Sequence, residues 1–396
     1  MSIRKGSTNI VRAALISLPQ PGEREQPSIA GKSIAQRQLL FARECGCTAV
    51  IAFGGGASDQ AIALRHAAEK AGMRYQVISN AHALPGAIKD EDSLLVLQPG
   101  MLPEARQALD LLRSEGDRML VVSAGPGTSA GFERIDLDRA WGGALTMPGA
   151  WLGRLTGLPE DTAPHAALLR IALQQRLPEA RISEDLLDDG RWMVVADDAT
   201  AQKRETGWMR SHLGESSPAS PSRWSATQIV SRAGSWLLDR AWAKPAILGL
   251  AASFLGGAIT AAIYEMPVLS FALAALSAPT LEAFLALSCL SVAPFGKVKR
   301  WPFMRRAIDA TILASGFIII DSLWYRAAFP PFVLVAALLL LDRGKVRSAV
   351  EPFHDRALVA GGLAVLSAFI APEVALMLVA TLVLAAKLVP DTVESG

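Results

Sequence analysis

This sequence contains few cysteines and few charged residues. Only three of its 396 residues are cysteines (Cys45, Cys47 and Cys289), and they form neither a CxxC pair nor the spacing of a zinc site. A disulfide framework is therefore not expected, which fits a reducing compartment. Charged residues make up only 19% of the chain, whereas 51% are hydrophobic and the mean hydropathy is +0.30. This composition is too apolar for an ordinary soluble protein.

Several functional signatures are also missing. The net charge is only +2, and outside the loops of the predicted membrane half no dense basic patch interleaves with aromatic residues, so no nucleic-acid partner is expected. The five histidines stand in no HxxxH set, and no Ser-His-Asp order or paired-carboxylate motif occurs. The N-terminal apolar run is too short and too interrupted for a signal peptide, which predicts that the N-terminal half stays in the cytoplasm.

Long uncharged runs fill the C-terminal half and predict an all-α domain of six transmembrane helices at residues 245–396. The predicted spans are 245–264, 267–293, 304–326, 327–342, 356–371 and 373–389. Loops rich in Lys and Arg alternate with neutral loops, which predicts a bacterial-type inner (plasma) membrane protein with both termini in the cytoplasm. The second span contains Pro279 and Glu282, so a kink or a split is an alternative, although seven spans would destroy the alternation.

Two segments precede the first span. Residues 225–244, SATQIVSRAGSWLLDRAWAK, mix apolar residues with Arg232 and Arg240, which favours an amphipathic helix along the cytoplasmic interface over a plain linker. Residues 211–224 contain the Ser/Pro-rich stretch GESSPASPS and are interpreted as a linker.

Residues 1–210 alternate strand-like and helix-like patterns, which predicts an α/β domain with a mostly parallel sheet. The strand-like runs are VRAALISL, TAVIAF, RYQVIS, SLLVLQ and RMLVVS, and the helix-like runs are SIAQRQLLFAREC, SDQAIALRHAAEKAG and PEARQALDLLRSEG. Two glycine clusters, FGGGAS (53–58) and SAGPGTSAG (123–131), are candidates for phosphate-binding loops. Neither matches GxxxxGK[ST] or GxGxxG in context, so plain turns are the favoured interpretation.

The segment LISLPQPGEREQPSIAGKSIAQRQLLFARECGCTAVIAF resembles the opening of the sugar-phosphate nucleotidyltransferases. The resemblance extends over about residues 10–205 and implies a nucleotidyltransferase-like (GT-A-type) fold. Its glycine loop survives as Gly22-Glu23-Arg24, and its lysine corresponds to Lys32. Arg24 and Lys32 are therefore candidates for contacts with substrate phosphates.

The same resemblance places metal-binding acids where this chain has none. Gln98 or Pro99 stands at the first position, and Val194 and Val195 stand at the second. Nucleotidyl transfer uses Mg²⁺ held by carboxylates, which an amide and a valine cannot replace. The nearby Asp197 and Asp198 are alternative ligands, but exposed loop acids are the favoured interpretation.

The order of a nucleotidyltransferase-like domain, an interfacial helix and six spans resembles a cytidylyltransferase-like domain fused to a CDP-alcohol phosphotransferase. That family carries the motif D-x2-D-G-x2-A-R-x8-G-x3-D-x3-D, whose four acids bind metal, across the end of its second span and the start of its third. With Asp309 aligned on the third acid of this motif, Ser288 and Ser291 stand at the first two acid positions. Val292 stands at the first glycine of the motif, Gly296 at its arginine, Arg305 at its second glycine and Leu313 at its fourth acid. Arg300 corresponds to the arginine only if a gap is allowed in the alignment.

Asp309 is thus a remnant metal ligand on one interpretation. The alternative is an ion pair one helical turn away, with Arg305 or Arg306. The favoured hypothesis is a membrane protein of this phospholipid head-group type that has lost both metal sites and acts as a non-catalytic partner or as a ligand-binding protein in lipid synthesis. The rival is an active transferase with a rearranged site, in which Arg24, Lys32, Arg300 and Arg305 contact phosphates.

The cofactor and the partners follow from these hypotheses. Mg²⁺ or Mn²⁺ is expected only if the protein is active. The expected partners are the lipid bilayer, a CDP-linked or nucleotide ligand and a second copy in a homodimer. A transporter has little support, because the spans carry few polar residues to line a path.

Overall fold

The chain folds into two compact units, Met1–Gly207 and Trp208–Gly396. The computed structural model describes residues 11–20, 22–55, 57–114, 116–157, 159, 162–214, 216–296, 302–343 and 351–388. Arg300, which the sequence suggests as a phosphate contact, lies outside the described residues, as do the neighbouring Lys297 and Lys299.

The N-terminal unit is the α/β domain that the alternating patterns predict. Its strands are β1 (Arg12–Ser17), β2 (Ser28–Ile29), β3 (Lys32–Ser33), β4 (Ala49–Phe53), β5 (Arg74–Ile78), β6 (Ser93–Leu97), β7 (Met101–Pro103), β8 (Met119–Ser123), β9 (Arg139–Pro148), β10 (Glu179–Arg181) and β11 (Trp192–Val194). Its helices are α1 (Ile34–Glu44), α2 (Asp59–Lys70), α3 (Leu84–Ala87), α4 (Arg106–Arg113), α5 (Ala124–Ser129), α6 (Pro164–Gln174), α7 (Asp185–Asp188) and α8 (Asp198–Leu213), the last of which runs across the unit boundary.

The main sheet has the strand order β10-β8-β9-β6-β1-β4-β5. Neighbouring strands are parallel except at β9, which runs antiparallel to both β6 and β8. The central strands are almost fully buried apolar runs, as expected for strands covered on both faces. Two short antiparallel pairs, β2–β3 and β7–β11, lie outside this sheet. The mostly parallel sheet is therefore confirmed.

Local signals explain where the first two long helices begin. Ser33 forms a capping box with Gln36 at the start of α1, and the Ser58 side chain accepts a hydrogen bond from the Ala61 amide at the start of α2. Both helices pack an apolar face on the sheet, and the buried Leu39 belongs to this face in α1.

The described residues of the C-terminal unit are mostly helical. Its helices are α9 (Pro221–Leu238), α10 (Ala243–Ile263), α11 (Pro267–Val292), α12 (Pro302–Ile319), α13 (Trp324–Asp342), α14 (Glu351–His354), α15 (Arg356–Ser367) and α16 (Pro372–Leu388). The helices α10, α11 and α13 are long and apolar enough to cross a bilayer. The helices α15 and α16 are apolar but shorter, so six spans are not established.

Exposed aromatic residues support membrane insertion. Tyr264 follows α10, Trp324 begins α13 and Phe369 follows α15, and these residues are 71%, 75% and 82% exposed. Aromatic side chains at helix ends are typical of the boundary between lipid tails and head groups. These three exposed rings thus lie at helix ends, where the boundary of a bilayer is expected.

Helix boundaries differ most from the predicted segments at two places. The predicted third span reached residue 326, but α12 ends at Ile319 because Asp321 and Ser322 favour non-helical backbone. The interfacial helix predicted at 225–244 begins at Pro221, a residue well suited to a first helical position, and ends at Leu238. The long second span is one helix, α11, with Pro279 in its interior and no split.

Candidate functional site

The strand order reverses between β1 and β6, and an open α/β sheet is expected to have a crevice at the carboxyl ends of the strands at such a point. The chain passes from β1 to β4 and β5 on one side and then returns to β6 on the other side, and ligands bind at such switch points in open α/β sheets. The loop that follows β1 contains Arg24, and the loop that follows β6 begins with Gln98. The sequence therefore places two of its predicted site positions at this edge.

The first glycine cluster forms a turn at Gly54 and Gly55, and Gly56 lies outside the described residues. Gly54 has a φ of +123°, and a side chain there would collide with the backbone carbonyl of Leu18. The Gly54 amide donates to the Ile78 carbonyl, and the Gly55 amide donates to the Pro19 carbonyl. Because these two amides are already used, they cannot bind an anion.

The second glycine cluster serves packing. Gly127 lies in α5, where an added side chain would collide with Val122 and Ala140. Gly131 has a φ of +89° and lies directly against the side chain of Val194. Both glycines permit close approach of neighbouring elements, which supports the interpretation of this stretch as a structural turn.

A polar cleft of about 480 Å³ lies beside the loop that follows β1. It is lined by Arg24, Glu25, Gln26, Ser28, Gln60, Asp198, Ala201, Gln202 and Glu205. Arg24 and Asp198 form an ion pair of 2.6 Å at its rim, with both side chains mostly exposed. Gln60 accepts from the Gln26 amide (3.2 Å) and donates to its carbonyl (2.7 Å), which ties α2 to this loop.

The predicted lysine, Lys32, lies on the β2–β3 hairpin. Ala30 and Gly31 form its two-residue turn with φ values of 48° and 70°, a geometry that suits tight hairpins. The Glu205 side chain accepts a hydrogen bond of 2.6 Å from the Ala30 amide. The hairpin that carries Lys32 is thus attached to the same helix, α8, that forms one wall of the cleft.

Gln98 and Val194, the positions that the resemblance gives to metal-binding acids, meet at one point of the fold. The Gln98 side chain donates to the Gly131 carbonyl (3.2 Å), and the Val194 side chain packs on that same glycine. The Oε1 atom of Gln98 is buried and has no hydrogen-bond partner among the described residues. Tertiary structure therefore assembles the two positions, but it supplies an amide and an alkyl group.

These side chains do not fit a magnesium ion. Mg²⁺ requires near-octahedral oxygen ligands, carboxylates above all. Within the described ranges, no group of three His, Cys, Asp or Glu residues is placed to hold a metal. The nearby acids have other partners: Asp197 accepts from the Thr200 amide (2.7 Å) at the start of α8, and Asp198 binds Arg24. The hydrogen bond from the Thr200 amide is the main reason that the pKa of Asp197 lies below its usual range.

Asp309, the remnant metal ligand of one interpretation, is paired with a residue that helical spacing does not identify. Asp309 is buried in α12, and it accepts two hydrogen bonds from Arg356, at 2.8 Å and 3.2 Å. Arg305 instead binds Glu282 of α11 at 3.0 Å. The predicted pairing of Asp309 with Arg305 is therefore wrong, because the bundle brings the first residue of α15 onto α12 and turns Arg305 toward α11.

The two serines that occupy the degenerate acid positions belong to α11. Ser291 donates to the carbonyl of Ser288, one turn earlier in the same helix, at 2.9 Å. The carboxylate of Asp309 is bound by Arg356.

A second buried acid lies next to this pair. Asp355 accepts from the Ser222 amide and hydroxyl, both at 2.8 Å, and from the Ser220 hydroxyl at 3.2 Å. Its other oxygen accepts from the Ala357 amide at 2.8 Å and caps α15. Asp355 thus joins the start of α9 to the start of α15. Neither this contact nor the partner of Asp309 has a local sequence signal, because the joined residues are far apart in the chain.

Comparison with known proteins gives similarity in structure only. No family model matches the chain, and no curated protein sequence matches it. Similar solved structures include a UDP-glucose pyrophosphorylase from Acinetobacter baumanii (12% identity, TM-score 0.38, 51% of this chain and 95% of that one). They also include a 4-diphosphocytidyl-2C-methyl-D-erythritol synthase from Anaerococcus prevotii (11% identity, TM-score 0.36, 51% and 97%). Similarity at this level does not identify a substrate or a reaction.

Proposed function

We propose that this chain is a membrane-anchored protein of the phospholipid head-group type whose N-terminal unit binds a nucleotide-linked or phospho-alcohol ligand without transferring a group. It acts beside partner enzymes in membrane lipid synthesis. The apolar helices α10, α11 and α13 support the membrane anchor, and the crevice at the carboxyl edge of the sheet supports a ligand site.

One observation carries the non-catalytic part of the proposal. Gln98 and Val194 converge on Gly131 at the place where the resemblance expects two metal-binding carboxylates. Phosphoryl and nucleotidyl transfer depend on cations that neutralise charge developing on the phosphates. A neutral amide and a valine cannot hold a divalent cation there, so on this proposal the N-terminal unit carries out no metal-dependent transfer.

The cleft retains groups that suit a polar ligand. Arg24 and Gln202 offer donors, whereas Glu25 and Glu205 offer acceptors, and all four line one open surface. The Arg24 guanidinium is largely exposed, so its ion pair with Asp198 is weak and opens at little cost when a phosphate competes for it. Hydroxyls of a sugar or an alcohol suit the carboxylate acceptors of Glu25 and Glu205.

The proposal is tested by ligand binding in the absence and presence of metal. Full-length protein in detergent is titrated with CTP, UDP-glucose and CDP-glycerol, with either EDTA or Mg²⁺, and its melting temperature is measured. Stabilisation by at least one ligand in EDTA is expected, and it should be lost in Arg24→Gln. Arg65→Gln is the matched control, because Arg65 is also largely exposed and pairs with Glu69 on α2, away from the cleft lining.

Release of CMP or pyrophosphate is followed in the same samples. We expect none above the protein-free rate. Metal-dependent release that Arg24→Gln abolishes would establish the rival, an active transferase with a rearranged site. Absence of any ligand-dependent shift would refute a binding role and leave a structural partner of other membrane proteins.

A further inference from the structure

The guanidinium of Arg356 bridges two carboxylates that come from different helices. It contacts Asp309 of α12 through Nε (2.8 Å to Oδ1) and Nη2 (3.2 Å to Oδ2). It contacts Asp342, the last residue of α13, through Nη2 (2.6 Å to Oδ2) and Nη1 (3.4 Å to Oδ1). A single nitrogen, Nη2, therefore lies within hydrogen-bond distance of one oxygen from each acid.

Burial makes this arrangement costly unless the charges are matched. The Arg356 and Asp309 side chains are only 2% and 3% exposed, and Asp342 is 31% exposed. Two carboxylates brought together in an apolar bundle repel each other unless a cation lies between them. Arg305, one turn before Asp309 on α12, instead binds Glu282. Among the described residues, Arg356 is thus the buried cation that contacts both carboxylates.

We propose that Arg356 is a resident cation. Its guanidinium occupies the position between Asp309 and Asp342 that a small divalent cation would otherwise take, and the membrane half keeps its fold without a metal ion. This inference deepens the proposed function and rests on it for the view that no metal-dependent step occurs in the membrane half.

The geometry favours arginine over any other side chain in this role. The planar fork of a guanidinium presents several N–H donors in fixed directions and remains charged when buried, whereas an ammonium is a compact point charge. All three nitrogens of Arg356 contact a carboxylate oxygen of the pair. A metal ion can enter only by displacing a buried side chain that holds α15 against α12 and α13.

Removal of the guanidinium should turn this position into a cation site. We compare full-length wild type and Arg356→Ser in detergent, each with 10 mM MnCl₂, guanidinium chloride or an ionic-strength-matched amount of NaCl. Wild type should respond to none of them. Arg356→Ser should melt at a lower temperature and recover by about 3 °C or more with Mn²⁺, since a ligand well above its dissociation constant stabilises the folded state. Guanidinium should also restore part of the loss.

Two controls isolate the position. Arg305→Ser removes an equally basic residue whose partner is Glu282, and its melting temperature should not respond to Mn²⁺. The double variant Arg356→Ser/Asp309→Asn lacks one of the two carboxylates and should lose the Mn²⁺ response. A response of wild type to Mn²⁺, or no response of Arg356→Ser to either cation, would overturn the proposal.

A further variant decides the matter if Arg356→Ser does not fold. Arg356→Lys keeps a positive charge in the position, so it should fold, melt below wild type and remain indifferent to Mn²⁺. A Mn²⁺ response of Arg356→Lys, or a stability equal to wild type, would contradict the role of the guanidinium fork. These measurements follow stability alone, so their failure is distinguishable from a failure of nucleotide binding.

Discussion

The buried ion pair of the N-terminal unit allows a quantitative test of how this unit is held together. Arg37 of α1 donates to Glu104, the residue after β7, at 2.6 Å, and the two side chains are 2% and 1% exposed. Arg37 also donates to the carbonyl of Ile29 and so holds the β2–β3 hairpin. Burial, the largest influence, lowers the pKa of Arg37, and the Glu104 carboxylate opposes this effect. The guanidinium remains charged, because its ordinary pKa is far above neutral pH.

Single substitutions should be far more harmful than the double substitution. Arg37→Met removes the cation that the buried Glu104 carboxylate binds, and Glu104→Leu removes the anion that the buried guanidinium binds. Loss of one partner of a buried pair costs about 3–5 kcal/mol, a large part of the roughly 5–15 kcal/mol that stabilises a typical domain. The double variant Arg37→Met/Glu104→Leu removes both charges of this pair. It should lie within about 2 kcal/mol of wild type.

Hydrogen exchange measured by mass spectrometry on the full-length protein in detergent reads the effect locally. Both single variants should exchange faster in α1, in the β2–β3 hairpin and around β7, and the double variant should exchange nearly as wild type does. Arg65→Met is the control, because the pair of Arg65 with Glu69 is exposed to solvent and contributes little to stability. Single-variant costs below about 1 kcal/mol, or a double-variant cost equal to the sum of the single costs, would refute the reasoning.

Three further predictions follow from other parts of the molecule. Burial lowers the pKa of His165, so the unfolded state binds more protons near and below the ordinary value of about 6.5, and stability falls on acidification; from pH 7.5 to 5.5 wild type should lose more melting temperature than His165→Gln, and equal losses would exclude this histidine. Gly54→Ala should destabilise the N-terminal unit by about 2 kcal/mol or more, whereas Gly46→Ala, which also has a positive φ but open space around it, should cost only about 1 kcal/mol in urea unfolding. A cysteine placed at Glu265 should react with an impermeant reagent from outside the cell, and one placed at Val298 only after permeabilisation; outside labelling at 298 would contradict the alternating-loop topology.

Short-range patterns were sufficient for the elements whose apolar residues and caps lie within one segment. The strand-like runs of the N-terminal half became β1, β4, β5, β6 and β8, and the three helix-like runs became α1, α2 and α4. The central antiparallel strand β9 was not predicted, because Gly142 and Gly143 make its sequence resemble a turn. Only pairing with β6 and β8, which lie far away in the chain, stabilises that segment as a strand.

The candidate sites divide in the same way. Sequence alone placed Gln98 or Pro99 at the first expected acid position and Val194 and Val195 at the second, and it identified Asp309 as an isolated acid between apolar runs. Tertiary structure decided that Gln98 and Val194 meet at Gly131 and that Asp309 pairs with Arg356, 47 residues further along the chain. Helical periodicity identifies neighbours three or four residues apart, whereas the partner of a buried charge is selected by the packing of whole helices and by the cost of leaving that charge unpaired.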